Sequence, residues 1–209
     1  MTERLGEIAP SRPRRRVHSK GMAKPVKVGA TEADWDALPE GKNAELIDGD
    51  LYVHARPRIG HQSAITELTL ELAPSMRDRG PKGWKILFEV GVRFGSNILV
   101  PDLAGWRRER IGRPPSDTTK IDIAPDWVCE GMSPSTSRLD RGRKREIYAT
   151  SKVGHIWFVD PRDRTLEILQ LDGKTYRVIG SAGGNEKGRF APFEHKIDLA
   201  VLWADIAEL

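Results

Sequence analysis

Three ionisable residues in the middle of the chain stand where a hydrolytic metal site could form. Asp102 completes a Pro-Asp pair after the apolar run 98–100, and Glu130 follows the apolar run 127–129. Carboxylates at the ends of neighbouring strands can hold a divalent cation, and Lys144 follows Glu130 in a predicted helix. A lysine at such a site can orient or activate the water that attacks a phosphodiester. The combination predicts metal-dependent hydrolysis of phosphodiester bonds.

The orientation of the lysine can be predicted from periodicity. Lys144 lies at helical spacing with Ile147 and Tyr148, which places it on the face that packs against a sheet. An unpaired buried ammonium is costly, so a lysine on that face needs carboxylate partners.

In a strand, side chains two apart share a face, so Glu130 and Met132 point to the same side. A motif of the form acid-any-lysine would have lysine where Met132 stands.

Each of these acids also has a purely structural interpretation. Asp102 can be a turn or cap residue after a proline, and Glu130 can be a strand-end acid bonded to the loop 133–136. His61, near the start of a long predicted helix, can contact phosphate or the site, but a capping or solvent-facing role is more common for such a residue. Taken singly, each acid fits a structural role at least as well as a catalytic one. The ordered combination of two acids and an inward lysine strengthens the catalytic interpretation but leaves the structural one open.

The elements that must position these residues form a mixed pattern. A short helix follows Thr31, and Asp-Gly turns at 48–49 and 172–173 predict hairpins. The predicted helices and strands are helices at 58–79 and 139–152 and strands at 84–94, 100–106, 126–132, 156–159, 166–171 and 175–179. The helix between Glu130 and Ile156 is a crossover between strands. This order predicts an α/β (α+β) domain with a mixed central β-sheet flanked by helices.

Length and charge predict one folded domain after a basic tail. The chain has 209 residues, and we expect residues 1–26 to be a disordered basic tail and residues 27–209 to be the folded domain. The formal net charge is +4, but residues 1–28 hold eight Lys/Arg and two Glu, which leaves 26 basic and 28 acidic residues in the remainder. The body therefore carries about −2, and charge alone does not predict nucleic-acid binding by the fold.

Several other classes of protein are disfavoured. A single cysteine, Cys129, excludes an intramolecular disulfide framework and a Cys-rich zinc site. No apolar run approaches the ~18–20 residues that cross a bilayer, and no apolar signal core follows the Arg-rich N-terminus. There is no Gly-rich phosphate loop, no nucleophile elbow and no zinc-spaced His pair. The sequence therefore predicts a soluble cytoplasmic protein.

Five short stretches, taken in order, carry a resemblance to a known family. Together they resemble the bacterial Uma-two (Uma2) family, domain of unknown function eight-twenty, which is described as restriction endonucleases. The resemblance covers about residues 28–205. The stretches are ELIDG at 45–49, PDL at 101–103, PDWVCE at 125–130, SPST at 133–136 with Asp140 and Lys144, and VGHIWFVDP at 153–161.

The resemblance implies a restriction-endonuclease-like core of the PD-(D/E)XK superfamily with a divalent-metal site. Asp102 resembles the acid of the Pro-Asp pair, Glu130 the second acid, and Lys144 the catalytic lysine moved to the helix. Glu45 resembles an additional acid from the first helical or hairpin region. The implied metal ligands are Asp102, Glu130 and Glu45, with Mg²⁺ or Mn²⁺ as cofactor, and Met132 departs from the written motif.

The function that we expect is divalent-metal-dependent endonucleolytic hydrolysis of DNA. The alternative is a catalytically inactive nuclease-fold module that binds DNA or protein. An RNA-directed nuclease differs only in substrate, and no base-reading motif separates the two. Many nucleases of this core act as dimers so that both strands are cut, which makes a homodimer the expected assembly.

Overall fold

Short strands and helices alternate along the chain in the computed structural model, which describes residues 24–39, 41–113, 117–134 and 136–206. The strands are β1 (Lys27–Val28), β2 (Ala44–Ile47), β3 (Asp50–Val53), β4 (Trp84–Phe88), β5 (Gly91–Phe94), β6 (Asn97–Leu99), β7 (Leu103–Arg107), β8 (Lys120–Ile121), β9 (Trp127–Gly131), β10 (His155–Asp160), β11 (Thr165–Asp172), β12 (Thr175–Gly183), β13 (Lys187–Gly188) and β14 (Ile197–Asp198). The helices are α1 (Glu32–Asp36), α2 (Ile59–Glu71), α3 (Ala73–Arg77), α4 (Arg108–Ile111), α5 (Ser137–Leu139), α6 (Arg145–Thr150) and α7 (Leu199–Trp203), with a π-helical turn at Asp140–Lys144. Residues 1–23 of the predicted tail lie outside the described residues.

The strands form two six-stranded sheets and one small hairpin sheet. The first sheet has the order β1-β3-β2-β6-β5-β8, the second has the order β12-β11-β10-β9-β7-β4, and β13 pairs with β14. Both large sheets are mixed, because β5 and β8 are parallel in the first and β9 and β10 are parallel in the second. The predicted mixed α+β fold is confirmed, with its strands divided between two sheets.

The crossover that the sequence predicts lies between β9 and β10. Parallel strands need a long connection, and here it consists of α5, the π-helical turn and α6. The register aligns Glu130 with Phe158 and Trp127 with His155. The helix that carries Lys144 therefore returns the chain to the strand next to the one that carries Glu130.

Two hydrophobic cores lie on opposite faces of the second sheet. Trp127 and Cys129 of β9 belong to a core that includes α2 and α7. Val128 belongs to the other core, which also contains Phe94 from the first sheet and Tyr148 from α6. The two large sheets therefore pack on each other across this second core. Strand alternation places Glu130 on the same face of β9 as Val128.

Two predicted elements are interrupted. The helix expected at 58–79 divides at Leu72 into α2 and α3, because Pro74 has no N–H and its ring crowds the carbonyl four residues earlier. The strand expected at 84–94 divides at Glu89, which has a φ of 42°. Its two halves, β4 and β5, belong to different sheets.

Both predicted hairpins are present. Asp48 and Gly49 join β2 to β3 with φ values of 51° and 76°, which suits a two-residue hairpin turn. Asp172 pairs with Thr175 across the turn between β11 and β12. Within the part of the chain that the structure describes, no helix has the length and apolarity that crossing a membrane requires.

Candidate active site

A lysine surrounded by carboxylates lies between the two large sheets. Nζ of Lys144 is 2.8 Å from Oε1 of Glu130, 2.9 Å from Oε1 of Glu45 and 3.2 Å from Oδ1 of Asp140. None of these four side chains is more than 5% exposed. The structure thus brings three of the four residues singled out from the sequence into one buried cluster and adds Asp140. We call these four residues the lysine–carboxylate cluster.

Glu45 enters the cluster from the first sheet. It lies in β2, and Oε1 also accepts a hydrogen bond from the backbone N–H of Val100 at 2.9 Å. Oε2 is 2.9 Å from Nε2 of His54, just after the end of β3. Because β2 and β3 form one hairpin, the turn at 48–49 fixes the register that brings Glu45 and His54 together.

Glu130 enters from the second sheet and is held by the crossover helix. The hydroxyl of Tyr148 donates a 2.5 Å hydrogen bond to Oε1 of Glu130, the oxygen that also contacts Lys144. Tyr148 is fully buried in α6. The predicted packing face of this helix therefore supplies both a cation and a hydroxyl donor to the same carboxylate.

Asp140 is the member of the cluster to which the sequence analysis gave no role. It begins the π-helical turn whose last residue is Lys144, and the two residues form an i,i+4 ion pair. Single π-helical turns inside helices are found frequently at functional sites. The i,i+4 spacing was the signal for this contact, but Asp140 stood at the predicted start of a helix, where acids are common.

Asp102 lies beside the cluster and has a different set of partners. It follows β6 in the connection to β7, where Oδ2 accepts a 2.7 Å hydrogen bond from the N–H of Gly131. Oδ1 is 2.8 Å from Nε2 of His61. In the described structure, no ion pair joins Asp102 directly to Lys144. Asp102 thus contacts β9 one residue after Glu130, and the negative charge of Asp102 contributes to the raised pKa of Glu130.

His61 does not have the capping role that was favoured for it. Its imidazole lies against the backbone of β9, where a Cβ added to Gly131 would be only 2.4 Å from Cε1 of His61. Burial lowers the pKa of His61, but the hydrogen bond to Asp102 and the negative charges of Asp102, Glu89 and Asp140 together outweigh burial, so the pKa is raised. The sequence gives no spacing signal for this contact, because His61 and Asp102 are 41 positions apart.

The two carboxylates closest to Lys144 have opposite pKa shifts. Burial raises the pKa of Glu45, but Lys144 and His54 outweigh it and lower the pKa to about 2. Burial raises the pKa of Glu130 well above its usual value, and the attraction of Lys144 does not cancel this effect. Burial also raises the pKa of Asp140. Burial lowers the pKa of Lys144, but Glu130 and Glu45 raise it well above its usual value.

The cluster is short of positive charge. One ammonium faces three carboxyl groups, so ionisation of all three would leave an excess of negative charge in a dry interior. Carboxylate oxygens are the ligands that Mg²⁺ prefers, so the donor chemistry of Glu45, Glu130 and Asp102 fits a hard divalent cation. Among the described residues, no three or more His, Cys, Asp or Glu are arranged so that they could hold a metal ion.

Comparison with known proteins places the chain next to nucleases. The sequence profile of the Uma2 family, described as "Putative restriction endonuclease", matches residues 33–201. This range contains every residue of the lysine–carboxylate cluster as well as Asp102 and His61. A search of curated proteins found no match.

A solved structure shares the fold. A crystal structure of "a putative nuclease belonging to DUF820" from Anabaena variabilis superimposes with a TM-score of 0.68 at 20% sequence identity. The alignment covers 83% of this chain and 97% of that chain. At this identity the likeness supports the fold alone.

Proposed function

This chain belongs to the Uma2 family, and from that membership we propose that it is a divalent-metal-dependent endonuclease that hydrolyses DNA. The family description supports nuclease function in general. The observation that carries the finer proposal is the buried contact of Lys144 with Glu45 and Glu130, two acids from different sheets. A buried charge cluster with strongly shifted pKa values is characteristic of a functional site.

In the proposed reaction the acids and the lysine would have different roles. Asp102, Glu130 and Glu45 would hold Mg²⁺ or Mn²⁺, which when bound polarises phosphoryl oxygens and lowers the pKa of a coordinated water. Lys144 has a pKa well above its usual value, so it stays protonated. It therefore acts as a positive charge that orients the nucleophile or stabilises negative charge developing on the phosphoryl group, and not as a proton acceptor.

Four further residues support these groups. His54 holds Glu45, Tyr148 holds Glu130 and His61 holds Asp102, each through one hydrogen bond. Asp140 holds Lys144. Such partners fix the orientation of carboxylates that bind metal, and their loss typically reduces metal affinity about 10–100-fold.

A second candidate is a catalytically inactive module that binds DNA or protein. The observation that favours it is the position of the Lys144 ammonium, which already gives Glu45 and Glu130 a cationic partner. In that case the cluster is a structural ion-pair network. This candidate predicts binding that does not depend on metal and does not change in Glu130→Gln.

The assembly and compartment belong to the proposal as well. A homodimer would allow both strands of a duplex to be cut. Cys129 is a free, buried cysteine, which accords with a reducing cytoplasm. Light scattering of the purified chain would test the dimer, since a monomer at micromolar concentration would contradict it.

A substrate panel tests the proposed activity. The full chain would be incubated with supercoiled, linear, branched and single-stranded DNA and with RNA, in Mg²⁺, Mn²⁺ or EDTA. We expect metal-dependent cleavage of DNA that is lost in Asp102→Asn and Glu130→Gln. Cleavage of RNA but not DNA would show that the substrate is RNA. If no substrate is cleaved and both variants still bind nucleic acid, the inactive module is favoured.

A further inference from the structure

The segment 54–61, which comprises the connection between β3 and α2 and the first residues of α2, is fixed to the candidate site at both ends. At its start, Nε2 of His54 is 2.9 Å from Oε2 of Glu45. At its end, Nε2 of His61 is 2.8 Å from Oδ1 of Asp102. The chain between these two contacts must therefore run along the site, from the acid of the first sheet to the acid beside β9.

Two arginines of this connection are exposed and have no local counterion. Arg56 and Arg58 are both exposed, and next to them Ile59 is 85% exposed. Neither arginine side chain has an ion-pair or hydrogen-bond partner among the residues that the structure describes. By contrast, Arg141 and Arg143 of the π-helical turn pair with Glu167 and Asp48. The positive charges of Arg56 and Arg58 are therefore not neutralised by a neighbouring acid of the described chain, unlike those of Arg141 and Arg143.

Chain geometry keeps both arginines close to the site. A residue step spans at most ~3.6 Å, so the Cα of Arg56 is within ~7 Å of that of His54 and the Cα of Arg58 is within ~11 Å of that of His61. Pro57, between the two arginines, fixes its own φ and reduces the freedom of the segment. Both exposed arginines therefore lie on a short segment that begins and ends at contacts with Glu45 and Asp102.

The electrostatics of the site identify what these arginines can bind. The lysine–carboxylate cluster and Asp102 place four carboxyl groups near one ammonium, and those that are ionised repel a polyanion. Unpaired guanidinium groups beside them offset that repulsion and match phosphate oxygens with paired hydrogen bonds. A cation pair at the margin of an acidic hydrolytic site is therefore suited to hold phosphates that flank the reacting one.

We propose that Arg56 and Arg58 bind the sugar–phosphate backbone of the nucleic acid substrate. This inference rests on the proposed function, and it adds a binding surface outside the cluster. Contacts to phosphates carry no base information, so the contribution of these arginines is independent of sequence. Each contact releases counterions, which makes binding depend on salt with a slope of about −0.9 per phosphate.

A binding experiment with a matched control tests this inference. The affinity of the full chain for a fluorescent 20-base-pair DNA duplex is measured by anisotropy in EDTA at several salt concentrations. The variant Arg56→Gln/Arg58→Gln is compared with Arg177→Gln. Arg177 is exposed on β12, three strands from β9 and therefore about 14 Å away across the sheet.

We expect the double variant to bind about tenfold more weakly, with the salt slope reduced by about 1.8, while Arg177→Gln matches the wild type. If the double variant and Arg177→Gln have the same DNA affinity and the same salt slope, the inference is overturned. In that case, cleavage by the double variant at the wild-type rate would still support the proposed function. If the double variant loses binding but the wild type cleaves nothing in Mg²⁺, the binding surface holds and the proposed hydrolysis fails. Failure of the wild type to bind nucleic acid at any salt concentration would overturn both.

Discussion

Two acids that contact the same ammonium differ in how much they stabilise the folded chain. Glu45 has three partners, because Lys144, His54 and the N–H of Val100 all contact its carboxylate. Glu130 has Lys144 and the hydroxyl of Tyr148. The pKa of Glu45 is lowered to about 2 and that of Glu130 is raised well above its usual value. The native protein therefore favours the anionic form of Glu45 and disfavours that of Glu130.

This difference predicts opposite effects of two isosteric substitutions. Glu45→Gln removes a buried anion from Lys144 and His54, and we expect it to lower the free energy of unfolding by about 3 kcal/mol. Glu130→Gln retains an oxygen for Lys144 and Tyr148 and removes a charge that burial disfavours, so we expect no loss of stability. Urea denaturation at pH 7 in EDTA measures both, and a larger loss in Glu130→Gln than in Glu45→Gln would contradict the assignment.

The same shifts predict how stability depends on pH. Unfolded glutamate has a pKa of about 4.3, so the contribution of Glu45 is present above that pH and is lost as the pH falls towards about 2. The contribution of Glu130 has the opposite sign, because its raised pKa favours the native state below about pH 4.3 and this advantage is lost as the pH rises through the native pKa.

We therefore expect the wild type to lose stability relative to Glu130→Gln as the pH rises from about 5 to 8. Urea denaturation of both proteins in EDTA at several pH values measures the difference. A difference that does not change over this range would show that Glu130 titrates normally.

The imidazole of His61 packs against β9 so closely that there is no room for a side chain at Gly131. A Cβ at Gly131 would be 2.4 Å from Cε1 of His61, so Gly131→Ala must displace the ring and break its hydrogen bond to Asp102. We expect a loss of about 1–3 kcal/mol in the free energy of unfolding. In His61→Ala the ring is absent, so Gly131→Ala should cost much less there. Additive losses in a double-mutant cycle would contradict this contact.

At the scale of elements, the π-helical turn Asp140–Lys144 sets the positions of both its terminal residues. It contains Gly142, at which an added Cβ would meet no atom within 4 Å. Glycine inside a helix is unfavourable relative to alanine, so we expect Gly142→Ala to stabilise the protein by roughly 0.5–1 kcal/mol. Deletion of Gly142 should instead rotate Asp140 by about 100° relative to Lys144 and break their ion pair.

Thermal denaturation and metal-dependent cleavage distinguish the two changes at Gly142. We expect Gly142→Ala to keep full cleavage and the deletion to lose both stability and cleavage. If the deletion matched the wild type, the π-helical geometry would have no role in forming the site.

The sequence predicted where helices and strands lie better than it predicted where they are interrupted. Helical spacing predicted that Lys144 lies on the buried face of its helix, and the structure confirms this. The interruption at Leu72 was missed because the apolar spacing continues through Pro74, which is tolerated in the first turn of α3. The division of 84–94 was missed because Glu89 adopts a positive φ that residue type does not indicate.

At the scale of the whole molecule, the site forms where the two large sheets pack together. Glu45 comes from the first sheet, and Glu130 comes from the second. No spacing rule relates residues 85 positions apart on different sheets, so only the family resemblance pointed to Glu45. Asp140 was given no role and a capping or solvent-facing role was favoured for His61, since their contacts depend on how α2 and the crossover pack. The residue types of the site are legible in the sequence, but their assembly depends on tertiary packing.

Cleavage of supercoiled DNA by three matched proteins tests the central claim most directly. The wild type, Glu130→Gln and Glu167→Gln would be compared in Mg²⁺, where Glu167 is a partly buried acid of β11 that pairs with Arg141 outside the cluster. We predict that Glu130→Gln remains folded and loses activity by about 100-fold or more, while Glu167→Gln keeps the wild-type rate. A folded Glu130→Gln protein that cleaves as fast as Glu167→Gln would show that the lysine–carboxylate cluster is not the catalytic centre.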